Sequence, residues 1–156
     1  MQIQQRIIPF LSFTNEAKEA AEYYVSVFPD ARMLRLVSNP ADGKTLTAEF
    51  ELFGMRFVAL NAGQNWKFTE ATSFEVMCDT QAEIDHLWER LVGDGGRELA
   101  CAWLQDKFGV FWQIVPAKLS DWLASEDAEM IQRMWGALWE MKKLDIAALQ
   151  AAFDGD

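Results

Sequence analysis

Five side chains in this 156-residue chain stand where chemistry could be done: Glu49, Glu75, Trp103, Phe111 and Gln113. Each belongs to a short apolar-rich run of the kind that forms a strand. Successive strand side chains point to opposite faces, so alternation sorts them. In LTAEFEL, Glu49 shares a face with Thr47 and Glu51, while Leu46, Ala48, Phe50 and Leu52 share the other. In SFEVMC, Glu75 lies with Ser73 and Met77, opposite Phe74, Val76 and Cys78. In VFWQIV, Gln113 lies with Phe111 and Val115, opposite Trp112 and Ile114. If the polar faces form a concave side, Glu49, Glu75 and Gln113 meet in one cavity bordered by Trp103 and Phe111. Apolar walls with a few convergent polar groups are the usual form of a small-molecule site. A carboxylate desolvated there has a raised pKa and can act as a general base. The competing reading is that Glu49, Glu51 and Glu75 face water on an open sheet, the common fate of glutamate.

The elements that must position these residues follow from periodicity. RIIPFLSF (6–13) has the length and β-branched content of a strand. Thr14 or Asn15 offers a helix cap, and Ala17, Ala20, Ala21, Tyr24 and Phe28 follow at helical spacing up to Pro29. Met33 to Val37, LTAEFEL and MRFVALN then read as strands, the last two joined by a Phe53-Gly54 turn. The pattern starts again at SFEVMC. Thr80 and Glu83 form a capping box, and Ile84, Leu87, Trp88 and Leu91 make the stripe of a second helix. Gly93 to Gly96 end it. ELACAWL and VFWQIV read as strands joined by the turn Asp106-Lys107-Phe108-Gly109. A strand–helix–strand–strand–strand unit thus appears twice, about 65 residues apart. An unrelated α+β domain is the other arrangement such runs allow.

Beyond Pro116 the composition turns to helix formers. Ser125, with Glu126, Asp127 and Glu129 after it, marks a helix start. Met130, Ile131, Met134, Trp135, Leu138 and Met141 form an apolar stripe that Trp139 widens, and Asp145 caps a last helix. Such a stripe more often packs on protein than on a cofactor, so residues 117–156 are expected to dock on the preceding domain or on a second subunit.

Composition excludes several classes. Net charge is −10 with no cluster of Lys or Arg, which repels nucleic acid and anionic membrane alike. MQIQQRIIPF lacks the basic and long apolar segments of a secretion signal, and no run reaches the ~18 apolar residues of a membrane span. Cys78 and Cys101 are far apart without CxxC spacing, which suits a reducing, cytoplasmic setting.

The blocks FLSFTNEAKEAAEYYVSVFPDA, TAEFEL, SFEVMCDTQAEIDHLWERL and WLQDKFGVFWQIV, with the ending MKKLDIAALQAAF, resemble one family. It is the PhnB-like branch of the vicinal-oxygen-chelate superfamily, often labelled 3-demethylubiquinone-9 3-methyltransferase. The superfamily also holds glyoxalase I, fosfomycin- and bleomycin-resistance proteins and extradiol dioxygenases. The resemblance implies an α+β fold in which two βαβββ modules, about 6–62 and 72–116, form one domain (1–116) around a cup-shaped, mixed or antiparallel sheet. It also implies a homodimer whose sheets complete each other's pockets.

Metal-dependent relatives set His, Glu or Gln on equivalent strands, where a divalent ion acts as a Lewis acid. By that resemblance the ligand positions fall at Pro9 or Ile8, at Thr72 or Ser73, and at Gln113. One neutral amide cannot hold a transition metal, so no metal and no cofactor is predicted. His86 reads as a solvated residue of the second helix. The methyltransferase label finds no support, because the glycine cluster follows a helix rather than a strand. The expectation is a small-molecule-binding protein or metal-free enzyme of unknown substrate. The alternatives are a metal-dependent lyase, isomerase or dioxygenase on the same cup, and a bleomycin-resistance-like sequestering protein.

Overall fold

The computed structural model describes residues 5–156, apart from the Asp94 side chain. The chain divides into two compact units, one ending at Lys67 and one running Phe68–Asp156. In the first unit, strand β1 (Phe10–Phe13) leads to helix α1 (Ala17–Val27), followed by β2 (Ala31–Ser38), β3 (Thr45–Leu52) and β4 (Met55–Asn61). The sheet order is β1-β4-β3-β2, with β1 parallel to β4 and the other pairs antiparallel. β1 is shorter than its apolar run predicts and begins after Pro9, which has no N–H for the ladder. The Pro9 carbonyl still accepts a hydrogen bond from Val58 N at 3.0 Å.

α1 buries Ala17, Ala20, Ala21, Tyr24 and Val27 against β3 and β4. The alanines let the helix approach closely, and Ala48 faces Ala59 in register beneath it. Tyr24 stacks on Phe50 at 5.8 Å and Phe50 on Phe57 at 5.4 Å, filling the rest of this core. Neither Thr14 nor Asn15 caps α1. Its N-cap is Glu16 with no side-chain bond, and Asn61 of β4 accepts from Ala17 N instead, at 2.8 Å. The Phe53-Gly54 turn forms as predicted, with φ of 48° and 77°, the left-handed pair of a two-residue hairpin.

The second unit repeats the plan with β5 (Phe74–Cys78), α2 (Gln81–Val92), β6 (Arg97–Glu98), β7 (Trp103–Gln105) and β8 (Phe111–Pro116), in the order β5-β8-β7-β6. The Thr80–Glu83 capping box is complete. Ile84, Leu87, Trp88 and Leu91 are buried as the periodicity requires. Gly96 is obligatory for a steric reason: a Cβ there would lie 2.4 Å from the Leu91 carbonyl oxygen. ELACAWL is not one strand. It breaks at Cys101 and Ala102, whose φ values are 58° and 72°. Their amides donate to the Met141 and Lys142 carbonyls, both at 2.9 Å. The second module therefore gains the short hairpin β6–β7 that completes its βαβββ plan.

The C-terminal helices α3 (Leu119–Leu123), α4 (Ala128–Trp139) and α5 (Ile146–Asp154) complete the second unit. α4 starts two residues later than Ser125 suggests. Its N-cap is Asp127, which accepts from Glu129 N and Met130 N. Trp122, Met134, Leu138, Leu144 and Leu149 form a core that includes Ala102 and Val115. Gln81 of α2 ties the connection down, donating to the Leu144 carbonyl at 3.0 Å and accepting from Ile146 N at 2.9 Å.

Candidate functional site

The predicted residues divide between the units. Glu49 is in the first, while Glu75, Trp103, Phe111 and Gln113 are in the second. On the second sheet, Glu75 pairs with Gln113 across β5–β8, and Gln113 with Trp103 across β8–β7. Register partners point to the same face, so the three side chains form one row of carboxylate, amide and indole. Glu75 is exposed, Gln113 and Trp103 are half-buried, and Phe111 is buried. Gln113 Nε2 donates to Ser73 Oγ at 2.8 Å, which fixes the amide and leaves Oε1 without a protein partner among the described residues. β8 is covered on both faces at its far end, where Val115 joins the core of the C-terminal helices.

The Asp-x-Phe-Gly turn supports this row from below. Asp106 is 3% exposed. Its Oδ1 accepts from Phe108 N at 2.8 Å and from Val110 N at 3.1 Å, and its Oδ2 accepts from Trp112 Nε1 at 2.8 Å. Gly109, with φ of 91°, closes the turn by donating to the Asp106 carbonyl. One buried carboxylate thus sets both the β7–β8 hairpin and the Trp112 ring on the helix side of the sheet. That leaves Gln113, the next residue, on the other face.

Glu49 meets an environment opposite to the predicted one. Its side chain is 10% exposed and lies between two guanidinium groups, Arg35 Nη2 at 2.5 Å from Oε1 and Arg56 Nη2 at 2.6 Å from Oε2. Burial pushes the carboxyl pKa up, but hydrogen bonds and charge from Arg35 and Arg56 outweigh it, and the net shift is downward. The raised pKa of a general base is therefore not found at Glu49. Nor is it solvated, as the open-face reading would have it. Beside it, Arg32 Nε pairs with Glu51 Oε1 at 3.1 Å. Arg35 and Arg56 are the residues that sequence reasoning missed. Strand alternation places them on faces, but only the pairing of β2, β3 and β4 brings them to Glu49.

The first unit also holds a polar cavity of about 550 Å³, bounded by Lys18, Asn39, Asp42, Lys44 and Asn61 among others. It contains none of the predicted site residues. Asn61 is spent on structure there, bonding Ala17 N and the Thr45 carbonyl.

The donor set for a metal does not fit. Pro9 offers no side-chain donor and its carbonyl is in the sheet, while the Gln113 amide is oriented by Ser73. Among the described residues, no three His, Cys, Asp or Glu side chains are grouped to hold an ion. His86 is exposed on α2. Both cysteines are free; burial, reinforced by Glu83 and Asp79, pushes the Cys78 thiol up to about 12. Gly93 to Gly96 form a turn closing α2 and not a nucleotide loop.

A family model described as 3-demethylubiquinone-9 3-methyltransferase matches residues 5–115. The PhnB protein of Bacillus cereus is 30% identical, with a TM-score of 0.65, and the match covers 71% of this chain and 99% of that one. A Pseudomonas aeruginosa protein matches at 20% identity and TM-score 0.61, over 72% of this chain and 98% of its own. The fosfomycin resistance protein FosX of Listeria monocytogenes matches at 12% identity and TM-score 0.55, over 80% and 100%. The last two likenesses are of fold alone. No curated protein matches the chain. Among the described residues, no helix is long and apolar enough to cross a membrane.

Proposed function

Because this chain belongs to the 3-demethylubiquinone-9 3-methyltransferase family, the PhnB-like branch of the vicinal-oxygen-chelate superfamily, we propose that it binds a small organic molecule without a resident metal or methyl-donor cofactor. The observation that carries this reading is the row Glu75, Gln113, Trp103 on the second sheet. Gln113, held by Ser73, presents a carbonyl oxygen to a ligand donor. Trp103 supplies a flat apolar wall and Phe111 the packed floor beneath. Glu75, exposed at the end of the row, is the carboxylate able to exchange a proton with a bound ligand.

Methyl transfer has no glycine-rich loop after a strand to hold a nucleotide-type donor among the described residues, since Gly93 to Gly96 close a helix. Chelation of a substrate to a metal is disfavoured as well, because Pro9 and the Ser73-bound amide of Gln113 make a poor donor set. The same reading has the protein acting as a homodimer in the cytoplasm. Its support is the family resemblance and the apolar surface of α4, where Trp139 is 64% exposed and stacks on Trp135 at 6.0 Å.

The test begins with a thermal-shift screen of metabolite-sized compounds against the wild-type protein. Gln113→Leu and Trp103→Ala should each weaken a compound found there by about tenfold or more. Elemental analysis of the same protein, purified without chelator, should find no stoichiometric divalent metal. Undiminished binding in both variants would remove the row from the site, and stoichiometric metal would replace the reading with a Lewis-acid one.

A further inference from the structure

The arginines around Glu49 are over-provided for the single carboxylate they hold. Arg35 and Arg56 bring two positive charges to one negative one, in a chain whose net charge is −10. Each spends one Nη2 on Glu49, and a guanidinium has five N–H donors. Arg56 Nε is shielded from water and has no hydrogen-bond partner. Buried donors left without an acceptor are rare in native proteins, and this one shows that Glu49 does not exhaust the donors of the guanidinium beside it. Apart from that Nε the side chains are reachable, since that of Arg35 is 63% exposed and that of Arg56 is 38% exposed.

The register extends the feature. Arg35 pairs with Glu49, Glu49 with Val58, and Val58 with Phe10, so one row crosses the sheet from β2 to β1. Glu49 and Val58 are buried in the middle of the row, and it ends on a phenylalanine that is 57% exposed. Adjacent strands are about 4.8 Å apart, so the row spans about 14 Å, the length of a small metabolite.

We propose that Arg35 and Arg56, held in place by Glu49, recognise the anionic head of a small organic acid whose apolar body lies against the exposed Phe10 ring. Glu49 orients the two forks before binding, so less side-chain freedom is lost when the anion arrives. Carboxylate and phosphate share the paired oxygens that a guanidinium fork matches, and either suits this pair. The inference extends the small-molecule reading by naming a ligand class, while its residues belong wholly to the first unit.

Hexanoate, hexyl phosphate and the neutral hexanamide, added at constant ionic strength and followed by amide chemical shifts, test it. One or both anions should move the Arg35, Glu49, Arg56 and Val58 amides and hexanamide should not; the tighter anion identifies the head group. Arg56→Gln should weaken that anion about tenfold, the loss of one charge-assisted contact. Should Arg56→Gln not fold, Arg35→Gln carries the same expectation, because its side chain is mostly in solvent. Absence of anion-dependent shifts, an equal response to hexanamide, or shifts centred on Lys18 and Lys44 at the polar cavity would overturn the proposal. A screened ligand that depends on Gln113, from a protein that ignores both anions, would leave the earlier reading standing and remove this one.

Discussion

Glu49 and Glu75 occupy similar contexts in sequence, each between apolar residues of an alternating strand, and they meet opposite environments. Across the strand from Glu49 stands Arg35, and diagonally Arg56; across from Glu75 stands Gln113. The arginines hold Glu49 ionised below the ordinary carboxylate range. A group whose native pKa is depressed stabilises the fold above its unfolded value and loses that contribution as pH falls through the native one. The contribution of Glu49 is therefore complete above about pH 4.5 and drains away below it. Urea unfolding at neutral and strongly acid pH should show Glu49→Gln clearly less stable at neutral pH, with the gap closing in acid. A gap of the same size at both pH values would mean that the ion pairs contribute nothing through charge.

Elements in this chain are pinned by single polar residues rather than by propensity alone. Asp106 makes three side-chain hydrogen bonds in a buried site, two to its own turn and one to the Trp112 indole. Asp106→Ala leaves those donors without an acceptor and should cost about 3 kcal/mol. Asp106→Asn keeps one acceptor oxygen but turns an amide toward the indole N–H, and should fall between wild type and alanine. Denaturant midpoints decide this; an alanine variant within about 0.5 kcal/mol of wild type would show that the turn holds without its carboxylate. The C-terminal segment acts at the same scale. Its Met141 and Lys142 carbonyls satisfy the amides of Cys101 and Ala102, the two left-handed residues that lead into Trp103. Left-handed backbone is costly in non-glycine residues, so these two bonds help retain the turn ahead of the candidate site.

For the whole molecule, the family model ends at residue 115, and the C-terminal helices lie beyond it. They bury Met134, Leu138, Leu144 and Leu149 while leaving Trp139 outside. If that surface serves a homodimer, sedimentation at micromolar concentration should give twice the 17.8 kDa chain mass, and Trp139→Glu should shift the population toward monomer. A wild-type monomer would end the dimer proposal. Much of the architecture was legible in the residues because its causes are local. Period-two alternation, the Thr80–Glu83 box, the Phe53-Gly54 turn and the Asp106–Gly109 turn all act within a few positions, and each appears where the sequence puts it. What stayed hidden depends on partners distant in the chain. Asn61 replaces the expected cap of α1 from 44 residues away. The break in ELACAWL is held by carbonyls at 141 and 142. The fate of Glu49 turns on two arginines that reach it only through strand pairing. A sequence states which side chains share a face of one strand, and so it determined the two modules and the face on which each candidate residue lies. Which charges stand opposite that face is decided by register between strands, and that follows from the packing of the sheet as a whole.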